Sequence, residues 1–437
     1  MIDIKFLRNN PDVVRQALKN RNSTIDIDEV LKVDTERREY LQKSENLKNL
    51  KNQASKKIAA AKPEERDAII LDVRSFDAES DNINSRLTEL EENFKTLMYQ
   101  IPNVPLQDVP VGKDETENVV VRKVGEPPKF DFETRDHVEL GKALDLIDNE
   151  RASEISGARF TYLKGELALL EFALVNFGLS VITNREKLGA IIKKAGLNLT
   201  DTPFIPVIPP VMIKPEVFAR MGRLEPKEER YYIPSDDLYL IGSAEHTLGP
   251  LHMDEIIPEK ELPIRYAGFS TAFRREAGSY GKDMKGILRL HEFEKLELES
   301  FCLSENGPAE QELMVAIQEH LMTALELPYQ VVAVCTGDMG SPDCRQIDIE
   351  TWMPGQNRYR ETHSADYVSD YQSRRLNIRT KREKETELVH MNDATAYAIG
   401  RTLIAIMENH QQADGSIRVP AALEPFYFGP MVIKPRE

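Results

Sequence analysis

The feature that most restricts this chain is a seven-residue apolar rhythm in its first hundred residues. Ile69, Val73, Phe76, Ile83, Leu87, Leu90, Phe94 and Leu97 recur in steps of four and three, broken only at Ser80, which is the seam of a coiled coil. A matching row, Leu47, Leu50, Ala54, Ile58 and Ala61, precedes it, and the turn signal between the two is Lys62-Pro63-Glu64. Proline disfavours helix at the residue before it and suits the first turn of the next helix. Two long helices joined there must fold back antiparallel, each of about 35 residues and roughly 50 Å at the usual rise. That exceeds what a globular domain needs, so the segment from about 28 to 100 reads as a projecting helical arm. Ahead of it, Asn9 to Arg21 reads as a short helix with Pro11 near its start.

Charge divides the arm. Lys43, Lys48, Lys51, Lys56, Lys57 and Lys62 stand against one acid, Glu45, whereas four basic residues face ten acids from Pro63 to Gln100. Opposite charges flanking the seam would stabilise the pairing, and a lysine-rich helix would equally offer a strip for phosphates. The whole chain carries a net charge of −16, which argues against coating nucleic acid through its entire surface but not against such a strip.

The remaining 337 or so residues leave ample chain for a large core. With no run of about 18 apolar residues and no basic segment leading a cleavable apolar stretch, a cytoplasmic chain without membrane contact is expected. Cys302, Cys335 and Cys344 are too few and too scattered for a disulfide framework and read as reduced core residues. Residues 101–130, punctuated by Pro102, Pro105, Pro110, Pro127 and Pro128, read as a linker with a short strand at Val119-Val120-Val121. Beyond it, helical periodicity recurs over Leu167–Phe177 and Glu310–Leu325. Leu238–Ile241, Ile264–Phe273, Leu288–Phe301, Gln330–Val334 and Gln346–Trp352 read as strands of a mainly antiparallel sheet. The fold class expected is therefore α+β, an antiparallel sheet flanked by helices.

The phosphate-binding G-x-x-x-x-G-K-[ST] and G-x-G-x-x-G loops are absent, so Gly281-Lys282 belongs to neither; H-E-x-x-H and G-x-S-x-G are absent too. What stands out is T-A-F-R-R-E-A-G-S-Y-G-K-D-M-K-G-I-L-R-L-H-E-F-E-K-L-E-L-E from Thr271 to Glu299. Two strand-like pieces flank a loop containing Gly278, Gly281 and Gly286. Strand alternation places Arg274 and Glu276 on one face, with Arg289, Phe293 and Glu297 sharing a parity on the return. Such a face suits a nucleotide: arginines fork onto phosphates and a phenyl ring stacks on a base. Alternating charges on a surface strand also serve solubility alone.

This hairpin resembles motif 2 of the class II aminoacyl-tRNA synthetases, and in its detail that of the seryl-tRNA synthetase family. Gly400-Arg401-Thr402-Leu403 running into Ile404–Asn409 resembles motif 3, and Val207-Ile208-Pro209-Pro210 the end of motif 1. The opening M-I-D-I-K-F-L-R-N-N-P-D-V-V-R, the arm, S-G-A-R-F-T-Y-L-K-G-E at Ser156, C-T-G-D-M-G at Cys335 and R-Y-R-E at Arg358 are similar in order and wording. The resemblance implies a tRNA-binding domain over 1–100, a class II catalytic domain over 131–437, and a homodimer built through motif 1. It implies ATP-dependent activation of L-serine to seryl-adenylate and transfer to tRNA(Ser), with tRNA(Sec) as a further acceptor where present.

By similarity, Arg274 holds the α-phosphate and the serine carboxylate, Glu276 the adenine amino group and Phe293 the adenine face. Arg289 and Arg401 hold the outer phosphates, with Arg275 and Leu290 also in the ATP site. Glu361 and Ser364 match ligands of ATP and Mg²⁺, and Arg274, Arg401 and Glu361 form the catalytic set. Ser243-Ala244-Glu245, Arg274, Glu297, Asp393 and Thr395 form the serine pocket, whose acids meet an ammonium and a hydroxyl. The six arm lysines become the tRNA contacts, and His291 reads as structural. The chain departs from the family at Ser243, usually Thr; at Asp393, usually Asn, which adds a negative charge; at Ser341–Arg345; and in a longer stretch over Ser180–Phe204. Two rivals are a ligase charging a carrier protein, opposed by the retained arm, and an inactive RNA-binding paralogue, opposed by intact Arg274, Glu276, Glu361 and Arg401.

Overall fold

The structure, a computed structural model, describes residues 1–60, 62–277, 286–383 and 385–435. Ala61 of the seam and Gly278, Gly281 and Lys282 of the hairpin loop lie outside the described residues, as do the side chains of Ile69 and Val73. The chain divides into two compact units, Met1–Pro102 and Asn103–Glu437.

In the first unit the expected short helix is α2 (Pro11–Asn20), opened by Pro11, and a further helix, α1 (Ile4–Asn9), precedes it and ends where Asn10 leaves helical geometry. The long helices are α3 (Ile27–Ala60, 34 residues) and α4 (Pro63–Gln100, 38 residues), the latter with Pro63 in its first turn. They run antiparallel: Arg37 lies over the Phe94 ring at 4.5 Å, Arg86 pairs with Glu36 at 2.8 Å, and Lys51 pairs with Asp77 at 2.8 Å. Leu47, Ala54 and Leu90 are buried in the seam, whereas Leu50 is 46% exposed. Arg8 forks onto the buried Asp34 at 2.6 and 2.8 Å and ties α1 to α3.

The second unit is built on a sheet of eight described strands: β1 (Val119–Val124), β2 (Ile205–Val207), β3 (Ile264–Phe273), β4 (Glu292–Cys302), β5 (Tyr329–Ala333), β6 (Arg345–Met353), β7 (Arg358–Ser369) and β8 (His390–Ala398). Their order is β1-β5-β6-β7-β8-β4-β3-β2, antiparallel throughout except that β2 runs parallel to β3 at the edge. The proline-rich stretch before residue 130 contributes β1, whose Val119 pairs with Ala333. Asn103 at its start donates to the carbonyls of Pro342 and Val368, each at 2.9 Å.

Strands β7 and β8 carry no periodic signal in the sequence. Both lie mid-sheet, yet their buried positions include Thr362, His363, Asp366, Asn392, Asp393 and Thr395, so no apolar alternation marks them. Among the helices of this unit are α5 (Glu166–Ile182), α6 (Arg185–Lys194) and α7 (Gly307–Ala324). Helix α7 is joined to β7 and β8 through side chains as well as apolar packing. Its fully buried Gln318 donates to the carbonyls of Ser364 and Thr395 at 2.8 Å each. It thereby fixes the two strands that carry the site.

The long Ser180–Phe204 stretch holds α6, whose Leu188, Ile191 and Ile192 join the core. Its end is fastened by Arg265, which donates to the carbonyls of Thr200 and Thr202 at 2.9 and 2.7 Å while pairing with the fully buried Glu310. Among the described residues no single helix is long and apolar enough to cross a membrane, and α5 and α6, bent by 75°, bury their apolar faces in the core. The three cysteines are unpaired and buried.

Candidate active site

The hairpin β3–β4 pairs Phe273 with Glu292 at its loop end, so of the residues expected to alternate only Phe293 and Glu297 lie on a strand, β4. Arg274 and Glu276 follow the end of β3 and Arg289 precedes β4; strand parity is therefore not what gathers them. Glu276 instead adopts a left-handed backbone at φ 53°, a conformation costly for a side-chain-bearing residue and held only by its surroundings. Arg159 donates to its carbonyl at 3.1 Å and the Arg289 guanidinium bonds its carboxylate. Arg274 donates from Nε to the Gly242 carbonyl at 3.1 Å and lies over the Phe293 ring at 5.4 Å. His291 has a structural task, its Nδ1 lying 3.0 Å from the Arg274 carbonyl oxygen.

Arg274, Glu276, Arg289 and Phe293 line a cleft that also includes Leu290, Lys295, Glu361, Thr395 and Arg401. Arg401, in the first turn of α8 (Ile399–Asn409), donates to the Glu361 carbonyl at 2.7 Å and sits 3.3 Å from its carboxylate. Partial desolvation in the cleft opposes ionisation of the half-exposed Glu361, but the Arg401 and Arg274 guanidiniums hold its carboxyl below its ordinary range. Ser364 lies three residues along the same strand, which strict alternation would put on the opposite face. The register explains their agreement: Glu361 pairs with Glu350, His363 with Ile349 and Ser364 with Asp348, so a bulge at Thr362 turns Glu361 and Ser364 to one side. The Ser364 hydroxyl donates to Asp366 at 3.2 Å. Arg275 turns away, its guanidinium 5.9 Å from the Tyr231 ring.

A buried recess adjoins the cleft. Lys295 links the two, donating to the Ser243 hydroxyl at 3.1 Å and pairing with Glu297 at 2.6 Å. Ser243, Ala244, Glu245, Glu297, Asp393 and Thr395 are all buried, and one carboxylate oxygen from each of Glu245, Glu297 and Asp393 lies within 4.8 Å of the others. Burial pushes the Glu297 carboxyl up to about 7, with Lys295 opposing and Glu245 reinforcing the rise. Glu245 goes the other way: burial favours its neutral form, but the Arg223 guanidinium at 3.2 Å overrides that and holds it well below the usual range. Burial lowers His246 to about 4, keeping it neutral at the recess wall.

Two site residues, Lys295 and Arg223, are not singled out by the sequence motifs. Lys295 shares a strand with Glu297, and its signal is the K-L-E spacing that sets both on one face. Nothing in the local sequence marks Arg223. In the arm, Lys43 lies 4.5 Å from the Tyr40 ring and Lys51 is half-buried against Asp77, while Lys48, Lys56, Lys57 and Lys62 are exposed.

Residues 1–105 match the family described as the seryl-tRNA synthetase N-terminal domain, and residues 230–410 the tRNA synthetase class II core domain (G, H, P, S and T). A serine–tRNA ligase of Thermodesulfovibrio yellowstonii is 41% identical over 442 residues, covering 99% of this chain and 100% of that protein. One from Fervidobacterium nodosum is 43% identical over 445 residues, covering all of both. Among solved structures, seryl-tRNA synthetase from Pyrococcus horikoshii complexed with ATP superposes with a TM-score of 0.90 at 35% identity over 100% of both chains. The cytoplasmic serine–tRNA ligase from Naegleria fowleri in complex with AMP gives 0.85 at 28% identity, over 100% of this chain and 99% of the other. A cleft ringed by arginines beside a buried acidic recess, an N-terminal helical pair and full-length similarity thus converge, and the chain belongs to the seryl-tRNA synthetase family of class II aminoacyl-tRNA synthetases.

Proposed function

We propose that the cleft binds ATP, that the adjoining recess binds L-serine, and that the seryl group formed between them passes to tRNA(Ser), and to tRNA(Sec) where one is present. The observation that carries this is Lys295, whose ammonium touches both recess groups, Ser243 and Glu297, while lining the cleft with Arg274 and Arg401. In the first step a serine carboxylate oxygen attacks the α-phosphorus, the bond to the bridging oxygen breaks, and pyrophosphate leaves. An ionised carboxylate needs no general base, so catalysis rests on alignment and on cations at the reacting phosphate. Arg274 serves the α-phosphate and serine carboxylate, Arg289 and Arg401 the outer phosphates, Phe293 and Leu290 the adenine face, and Glu276 its amino group. Glu245 receives the serine ammonium; Glu297 and Thr395 receive the hydroxyl. In the second step the terminal ribose hydroxyl attacks the seryl carbonyl and AMP departs.

Glu361 and Ser364, turned to one side by the bulge, offer the oxygen donors that a magnesium ion prefers. When bound, that ion supplies positive charge to the leaving pyrophosphate. The exposed arm lysines serve tRNA phosphates, a task consistent with shape-led recognition of RNA. A cytoplasmic homodimer belongs to the same proposal. Its support is the exposed Ile205 and Ile208, at 52% and 89%, on and just after the parallel edge strand β2. Light scattering tests the dimer.

The direct test of function is amino-acid-dependent ATP–pyrophosphate exchange across serine, threonine, alanine and glycine. Serine alone should drive it. Exchange with alanine matching that with serine would contradict the assignment of Glu297 and Thr395 to a hydroxyl.

A further inference from the structure

Two of the chain's departures from its family, Asp393 and the Ser341–Arg345 segment, meet at one side chain. Arg223 follows the helix Pro215–Met221, which ends on left-handed Gly222, and its guanidinium enters the floor behind the recess. Nη2 donates to Asp343 at 3.1 Å and to both Asp393 oxygens at 3.3 Å, and lies 3.5 Å from Asp366. Nε lies 3.2 Å from Glu245. Its side chain is 13% exposed, and the acids range from 1% to 11%. Glu299, fully buried across the strand pair from Asp393, adds a carboxyl whose two oxygens have no hydrogen-bond partner among the described residues.

Gathering so many carboxyl groups around one buried guanidinium is costly, and a well-packed apolar floor would serve stability as well or better. The arrangement makes sense as a device of selection. Asp393 and Asp343 without Arg223 would leave a cation-hungry cavity directly behind the recess. With it, the planar fork occupies the floor, satisfies several acids at once, and leaves Glu245 ionised and oriented towards the substrate. We propose that Arg223 is a specificity-determining residue: the fixed cation of the floor, it positions Glu245 for one substrate ammonium and excludes amino acids whose side chain carries a second positive charge.

The discriminating probe is L-2,3-diaminopropionate, which differs from serine by an amine in place of the hydroxyl and so tests charge at nearly constant size. This rests on the serine-activation reading above. The experiment measures exchange with serine and with diaminopropionate at mildly acid pH, where the second amine carries a proton, together with the KM for ATP. Wild type should favour serine by about a thousand-fold or more, because an added like charge beside a buried cation is strongly disfavoured. Arg223→Gln should cut that ratio by on the order of 100-fold while leaving the ATP KM within about twofold, since Arg223 does not line the cleft. Arg223→Lys, which keeps the charge but not the fork, should keep the wild-type ratio and raise the serine KM. If Arg223→Gln fails to fold, Arg223→Gln with Asp343→Asn removes one acid with the cation and should show the same fall. Wild type that accepts diaminopropionate as readily as serine, or a neutral variant that keeps the wild-type ratio, overturns the proposal. Wild type with no serine-dependent exchange overturns the serine reading itself.

Discussion

The two units of this chain are specified in opposite ways. In the first, α3 and α4 are held by partners at regular spacing along two continuous stretches, with charged pairs such as Arg86–Glu36 and Lys51–Asp77 at the rim. In the second, the recess draws Arg223, Ser243, Glu245, Glu297, Asp343, Asp366 and Asp393 from well-separated segments of sequence and buries them together. A helix pair spreads its stability over many weak, similar contacts and tolerates the removal of any one. A buried charged recess concentrates its energetics in a few groups whose removal leaves partners unsatisfied. Changes in the second unit should accordingly be large and chemical, and those in the first small and electrostatic.

The sharpest break is Arg274→Ala. It removes a cation at the reacting phosphate and should lower serine-dependent exchange by on the order of a thousand-fold. Binding of tRNA, measured by filter retention, should stay within about twofold of wild type. A variant that retains most of its exchange would remove Arg274 from the chemistry.

Next in size is the acid at the recess. The folded protein keeps a proton on Glu297, whose carboxyl titrates near 7, that an unfolded glutamate releases near its ordinary value of about 4.3. The folded state therefore binds the extra proton between those values, and the associated stability is lost as pH rises from about 4.5 to 7, by about 3 kcal/mol. Glu297→Gln removes this dependence. In denaturant unfolding without ligands, the variant should gain about 3 kcal/mol on wild type between about pH 4.5 and about pH 8. A difference that does not change with pH would contradict the assignment.

The smallest effects belong to the arm. Replacing Lys48, Lys56 and Lys57 together by Ala should weaken tRNA binding and flatten its salt dependence by roughly one unit of slope for each phosphate no longer neutralised. Lys51→Ala should do less, by about half a unit or under, because Asp77 already answers that charge. Equal slopes for wild type and triple variant, with the helices intact by circular dichroism, would reduce these lysines to a solvated face.

The same contrast explains how much of the molecule is legible in its sequence. A heptad is written on the chain, so both arm helices and the proline between them can be read directly, although Leu50, a seam position by that rhythm, is 46% exposed. Strand β3 is legible over its full length from its run of apolar and aromatic residues, whereas β7 and β8 are hidden by the polar residues they bury towards the site. Glu361 and Ser364 share a face only through a bulge at Thr362, and Glu276 reaches the cleft only through a left-handed backbone. Such local breaks of regular geometry leave little trace in a periodicity. Asp393 is visible as an added charge, but its partner Arg223 lies 170 residues earlier, a pairing that no spacing rule connects.

The division of labour between the units is tested most directly by one paired measurement on protein lacking residues 28–100: serine-dependent exchange and aminoacylation of tRNA(Ser), each relative to wild type. The groups proposed for adenylate formation and serine selection all lie from Arg223 onward, so exchange should remain within about threefold, while aminoacylation should fall by about 100-fold or more because the acceptor end is no longer positioned. A parallel fall in both, or charging that survives without the arm, would contradict the account.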